Sequence, residues 1–376
     1  MKVLVTGGTG TISSGIVKEC VIQGYETYAI TRGNNPKRNI EHAEYLKADL
    51  WDCESIKSVL GIKKFDVIVE TQVYTLSQLK ISLSNYSEIC QQYIFMSTAA
   101  IYAKKGEHRI KESDEKNNLK WDYTINKIEC EEYLKKYAED HGLVYTIIRP
   151  TVTDGDYRIP FPIATRTPGW TLFQRMLDGK PILASENVKF SIIHIEDFSK
   201  SVVELFGNKQ AQNEDFHITC NSNDIYWDDV IDISNEILKT DAKTIHVPEK
   251  IFNIVWPGMY PEIAYHKNIS QVFDDSKILS VTKHRAKIDL KEGMVKTISA
   301  MKVEYENSDH YLDENWSRMC DAVIYCACQS KVLSMEEQRI AEEYLKGNFG
   351  YFRLNYLKCR FKSTLYSLYM KYLRKK

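Results

Sequence analysis

Tyr123 and Lys127 stand four residues apart in the run Tyr123-Thr124-Ile125-Asn126-Lys127. On a helix that spacing places both side chains on one face, one turn apart. An ammonium group beside a phenol favours the phenolate, so the tyrosine can exchange a proton with an alcohol at moderate pH. The pattern alone is weak in a chain with 24 tyrosines. A second hydroxyl strengthens it. Ser97-Thr98-Ala99-Ala100-Ile101-Tyr102 follows an apolar strand-like run, with Thr98 25 residues before Tyr123. Thr98 is suited to holding a substrate oxygen in hydrogen-bond reach while a hydride moves to or from a nicotinamide. The three residues form a candidate catalytic set.

A phosphate-binding loop accompanies them. Thr6-Gly7-Gly8-Thr9-Gly10-Thr11-Ile12-Ser13 falls between a predicted strand, Lys2–Thr6, and a predicted helix, Thr11–Gln23. Glycine permits the tight turn and the approach of backbone to a pyrophosphate, whose charge the helix N-terminus favours. Gly7, Gly10, Thr11 and Ile12 are the expected contacts, and Ser13 replaces a usual third glycine with another small residue. Behind the second predicted strand lies Thr31-Arg32-Gly33, followed by Lys37 and Arg38. An acid there would bind the ribose hydroxyls, whereas Arg32 suits a 2′-phosphate. NADP is therefore expected ahead of NAD, and a solvated surface arginine is the plain alternative. Asp49 and Leu50 follow the third strand, with Asp49 placed to meet the adenine, and Ser97 completes the expected cofactor contacts.

Positioning these groups requires alternating strands and helices. Strands are predicted at Glu26–Thr31, Glu44–Ala48, Phe65–Glu70, Gln92–Ser97 and Val144–Arg149, with helices from about Leu76 to Cys90 and from Tyr123 to Asp140. That alternation implies a Rossmann-type doubly wound parallel sheet, an α/β fold. After Arg149-Pro150, prolines 150, 160, 162, 168 and 181 punctuate a loop-rich region around one helix, Leu172–Asp178. Strand-like pieces return at Lys189–Ile193 and Asp215–Thr219, and helices are predicted near Tyr226–Leu238 and Leu290–Val303. The expected organisation is a dinucleotide-binding domain over 1–150 with returning segments at about 187–222. An interwoven smaller substrate lobe covers mainly 151–306, and a helical C-terminal extension covers 307–376.

The chain resembles the extended and atypical short-chain dehydrogenase/reductases, the superfamily of UDP-galactose 4-epimerase. The glycine loop, Thr98 and the Tyr/Lys pair carry the resemblance in the correct order. Arg149-Pro150, His194-Ile195-Glu196-Asp197-Phe198 and Phe273-Asp274-Asp275-Ser276-Lys277 extend it over about residues 1–300. It implies a Rossmann fold with a nucleotide-sugar lobe, Tyr123 as acid/base, Lys127 lowering its pKa and contacting ribose, and Thr98 in place of the usual serine. Two departures matter. Glu70-Thr71-Gln72-Val73-Tyr74 replaces an H-x-A-A-like segment, while Thr31-Arg32-Gly33 and the short connection from Val69 to Tyr93 resemble a branch that includes chloroplast stem-loop RNA-binding proteins. Ala99 and Ala100 stand where sugar 4,6-dehydratases carry an Asp-Glu pair, which disfavours dehydration. The expected activity is NAD(P)-dependent epimerisation or reduction of a nucleotide-linked sugar. The alternatives are a non-catalytic nucleotide- or RNA-binding protein on the same fold, or an accessory protein of polysaccharide assembly.

In the lobe, Arg158, Arg166 and Arg175 are candidates to grip a substrate diphosphate, with Phe161, Trp170 and Phe173 to stack or to fill core. His194 reads as structural. Across the 376 residues the formal net charge is -1, which argues against broad nucleic-acid binding. Nine scattered cysteines, Cys320, Cys326 and Cys328 among them, form neither a disulfide framework nor a zinc pattern, and no metal is expected. No secretory signal precedes the first strand and no apolar run approaches ~20 residues, so a cytoplasmic setting is expected. The last thirty residues carry Leu354, Leu357, Phe361, Leu365, Leu368 and Tyr372 at helical spacing among Arg353, Lys358, Arg360, Lys362 and Lys371. Three readings stand for this basic amphipathic tail: packing on its own domain, docking to a protein partner, or lying peripherally on an anionic membrane. A homodimer is also left open.

Overall fold

Successive side chains of the continuous apolar first strand point to opposite faces, and that period of two builds two cores. In the computed structural model, which describes residues 1–103, 109–164, 169–185, 188–220 and 224–373, β1 (Lys2–Thr6) sends Val3 and Val5 to one side and Leu4 to the other. β2 (Glu26–Thr31), β3 (Glu44–Lys47), β4 (Phe65–Glu70), β5 (Cys90–Met96) and β6 (Tyr145–Pro150) join it, with the strand Glu214–Ile218 at the far edge. The order is Glu214–Ile218, β6, β5, β4, β1, β2, β3, and every pair is parallel. The strand order reverses between β1 and β4, the switch point at which such sheets bind ligands beyond their C-terminal ends.

Helices cover both faces. On one, Ile16, Val17 and Cys20 of α1 (Thr11–Ile22) meet Phe198 and Val202 of the helix Ile195–Val203. Gly15 makes this packing possible, because a Cβ there would lie 2.5 Å from Ile195 Cγ1. On the other, α2 (Cys53–Leu60), α3 (Leu76–Tyr86) and α4 (Asp122–His141) bury Ile56, Leu79, Leu83, Cys130 and Leu134.

The chain divides into two compact units. The first comprises Met1–Gly155, Ser191–Asp224 and Val272–Asp289; the second comprises Asp156–Phe190, Ile225–Gln271 and Leu290–Lys376. Returning segments complete the first unit. Asp197 accepts bonds from His284 Nε2 (2.9 Å) and from the Lys287 and Ile288 amides (both 2.8 Å). Burial pushes its carboxyl up, but these donors win and hold it at about 2. His194 caps the same helix through Nδ1, which accepts from the Glu196 amide at 3.3 Å.

The second unit is mainly helical, with a parallel ribbon of Ile182–Ala184 and Thr244–His246. Its helices include Trp170–Leu177, Trp227–Leu238, Glu249–Val255 and Leu290–Glu306. The helices Glu314–Gln329, Met335–Lys346 and Phe349–Leu373 belong to it as well, not to a separate body. Phe161, Trp170 and Phe173 are buried core, with Trp170 stacked on Tyr305 at 5.7 Å. All nine cysteines are free thiols, seven of them buried. Among the described residues no helix is long and apolar enough to cross a membrane.

Candidate active site

The glycine loop leaves β1 over a buried carboxylate. Glu70 accepts hydrogen bonds from Thr6 Oγ1 (2.7 Å), Ser82 Oγ (2.6 Å) and the Gln72 amide (2.7 Å). Burial raises its pKa, opposed by these donors and by Lys127. Thr71 ties the next strand end to the loop, donating from Oγ1 to Thr6 O at 2.6 Å. Gly7 and Gly8 take positive φ (94° and 77°), and a Cβ on Gly7 would lie 2.5 Å from Gln72 Nε2. At Gly8 a Cβ would lie 2.7 Å from Ala29 Cβ, and the positive φ at both positions favours glycine. Gly10 caps α1, and the buried Ser13 hydroxyl turns back to it, accepting from Gly10 N at 3.1 Å. Thr11 and Ile12 precede the first intrahelical bond, Ser14 N to Gly10 O at 2.8 Å, so their amides sit at the positive end of the helix.

Beside the loop a cleft of about 290 Å³ is lined by Gly7, Thr31, Arg32, Asp49, Leu50 and Gln72, together with Asn34, Asn35 and Tyr74. Arg32 and Asp49 are exposed, and Asp49 Oδ1 accepts from the Trp51 amide at 3.0 Å. Sequence reasoning missed Asn34, Asn35 and Gln72; the only signal for Gln72 was the departure at Glu70–Tyr74. The side-chain-free cradle, the helix amides and this cleft suit a dinucleotide phosphate and adenosine.

α4 carries the Tyr/Lys pair because its first turn is anchored: Thr124 donates to Asn118 O (2.7 Å) and Trp121 O (2.8 Å). Tyr123 is half-buried, its ring 4.8 Å from Trp121 and 6.4 Å from Tyr74. One turn on, Lys127 is buried and its Nζ donates to Val73 O (2.6 Å) and Met96 O (2.7 Å). Burial lowers its pKa from 10.5 to about 8, against the pull of nearby acids including Glu70 and Glu131. Its third donor meets no acceptor among the described residues. Thr98 is half-buried, and its Oγ1 accepts from the Ala100 amide at 3.2 Å, which leaves its O–H to give. Ala99 and Ala100 are buried.

Ser97 turns its hydroxyl inward. Its side chain is buried and donates to Glu131 Oε1 at 2.6 Å, so the hydroxyl does not serve a cofactor. Glu131, one turn beyond Lys127, went unremarked in the sequence. Burial pushes its carboxyl up, but Arg149 on both oxygens (2.9 and 2.8 Å) and Lys116 hold it below the ordinary value. Arg149 also pairs with Asp215, which Lys277 reaches at 3.2 Å. The Arg-Pro and Phe-Asp-Asp-Ser-Lys segments thus meet in one charge network beneath α4.

In the second unit Arg158 and Arg175 sit in different settings. Arg175 is a correction: it is 2% exposed, with Nη1 on Asp321 Oδ1 at 2.7 Å and Nε on Pro181 O at 2.8 Å, so its charge is paired within the core and ties helices together. Arg166 lies outside the described residues. Arg158 is exposed and close enough to Lys267 and His266 to depress both. Lys267, absent from the sequence expectation, is buried with Nζ 4.9 Å from the Trp227 ring centroid, and burial brings it to about 8.

Residues 3–219 match the model of the NAD dependent epimerase/dehydratase family. The chain belongs to that family. A Methanocaldococcus jannaschii protein, provisionally assigned as a UDP-glucose 4-epimerase, is 25% identical over 330 residues, 80% of this family member and 98% of the relative. Among solved structures, UDP-glucose 4-epimerase from Thermotoga maritima with UDP-glucose matches at TM-score 0.67 and 16% identity, covering 81% of this chain and 99% of its own. The Thermus thermophilus UDP-glucose 4-epimerase in complex with NAD gives 0.66 and 18%, covering 80% and 99%. At these identities the structural likeness bears on the fold.

Proposed function

We propose that this family member is a nicotinamide-dependent epimerase of a nucleotide-linked sugar, oxidising and re-reducing one ring carbon; net reduction at that carbon needs the same groups. The observation that carries the reading is the buried Lys127 ammonium, held by the Val73 and Met96 carbonyls one helical turn from Tyr123. A lysine fixed this way carries its positive charge one helical turn from the tyrosine with carbonyls, not a carboxylate, as its hydrogen-bond partners, which favours the phenolate. A bound nicotinamide supplies a place for hydride to go and return. The chain does the rest. Tyr123 takes the carbinol proton and gives it back, Thr98 donates to the same sugar oxygen, and the third Lys127 donor is left for a ribose hydroxyl. Buried Ala99 and Ala100 offer no acid for dehydration.

Gly7, Gly10 and the Thr11 and Ile12 amides hold the pyrophosphate in this reading, with Asp49 and Leu50 at the adenine and Ser97 limited to main-chain contact. The relative with bound NAD supports that cofactor, whereas Arg32 in the cleft favours a 2′-phosphate; NADP remains the preferred choice for this chain. Arg158, exposed on the second unit, is the candidate for a substrate phosphate. The test is to incubate the purified protein with NAD or NADP and each of UDP-glucose, UDP-galactose and UDP-glucuronate. Chromatography should show interconversion of epimers. Failure to bind either nucleotide, with no product from any sugar, overturns the proposal.

A further inference from the structure

The helix Phe349–Leu373 uses one face for packing and leaves another bare. Phe352, Asn355, Cys359 and Ser363 are its buried positions, each at most 8% exposed. Asn355 Nδ2 donates to Arg318 O at 2.8 Å, and the Ser363 hydroxyl donates to Val255 O. These residues dock the helix within its unit. The apolar stripe predicted from the sequence is a different face. Leu354, Leu357, Phe361, Leu365 and Leu368 recur every three or four residues, and each is more than half exposed.

We propose that this stripe seats the protein on an anionic bilayer surface. Charge is the deciding feature. Arg353, Lys358, Arg360 and Lys362 are exposed and alternate with the stripe, and no Asp or Glu occurs from residue 344 to 376 against nine Lys and Arg. The whole chain has a net charge of only -1, so positive charge is concentrated here. Basic side chains beside an apolar stripe can lay their stems along the acyl boundary and lift their charged ends to lipid phosphates. Pairing with the same helix of a second copy would instead bring two acid-free, basic surfaces together. At 25 residues the helix spans about 37 Å, enough to lie along a surface, and it lacks the apolarity to cross one.

Flotation of the full chain with phosphatidylcholine vesicles, with and without phosphatidylglycerol, tests the assignment. Binding should require the anionic lipid and weaken with salt. Replacing the stripe (Leu357→Glu, Phe361→Glu, Leu365→Glu) should lower partitioning at least about tenfold. Replacing the charges (Arg353→Gln, Lys358→Gln, Arg360→Gln, Lys362→Gln) should do the same, at roughly the strength of several surface cations. These side chains face solvent, so thermal melts should not change. Should the stripe variant misfold, the charge variant decides alone. Equal binding to neutral vesicles, no binding to either, or binding indifferent to both variants overturns the proposal. So does a dimer that the stripe variant breaks in a chain that ignores vesicles.

Discussion

Lys127 shows how much one residue's surroundings add to its sequence position. Tyr123-x-x-x-Lys127 spacing announced a shared helix face, but not that Val73 and Met96 carbonyls, from two different strand ends, would hold the ammonium. Arg175 shows the opposite case. Its partner Asp321 lies 146 residues away, so the pattern around the arginine could not reveal that its charge was already paired. The Ser97 hydroxyl is a similar case: Glu131 lies on the next helix, and only folding brings its carboxylate to it. Arg32 carries a prediction at this scale. Arg32→Ala should weaken NADPH binding about tenfold or more while changing NADH binding little, because only a 2′-phosphate gains paired charge-assisted bonds. Fluorescence titration of the two reduced cofactors measures this. Equal losses for both would remove Arg32 from the 2′ position.

At the scale of elements, strands were the more legible part. Lys2–Thr6, Glu26–Thr31 and Phe65–Glu70 are observed as predicted, since runs buried on both faces read as continuous apolar segments. The helix Cys53–Leu60 was not predicted; its eight residues bury only Ile56 and Leu60, too few to set a period. The C-terminal helix was predicted, but its packing face was not, because Asn355, Cys359 and Ser363 do not look like a core stripe. One tie between elements is open to titration. Protonated His246, on the ribbon, donates from Nε2 to Asp228 (2.9 Å) and from Nδ1 to Glu337 (2.7 Å), the latter on the helix Met335–Lys346. Hydrogen bonding to Asp228, then to Glu337, raises its pKa from 6.5 to about 9 despite burial. A raised folded-state pKa means the contribution is complete below about pH 6.5 and is lost as pH rises through 9. With solvent screening it amounts to about 1–2 kcal/mol. Thermal melts should therefore fall across that window in the wild type and fall less in His246→Gln. Parallel curves would refute the linkage.

For the whole molecule, the parallel sheet and the order of its motifs were readable because each βα step leaves a local signature. The division into two units was harder to read, since each unit is assembled from three separate stretches of chain. The family match ends at residue 219, so Lys267 rests on its own physical setting. What joins sheet, loop and helix into one account is proton exchange at Tyr123. Its most direct test compares wild type with Tyr123→Phe, measuring UDP-sugar turnover alongside cofactor affinity by fluorescence. The account predicts that turnover falls by about 10²–10⁴-fold, the usual worth of a positioned acid/base, with cofactor affinity almost unchanged. Full turnover by the phenylalanine variant would contradict it.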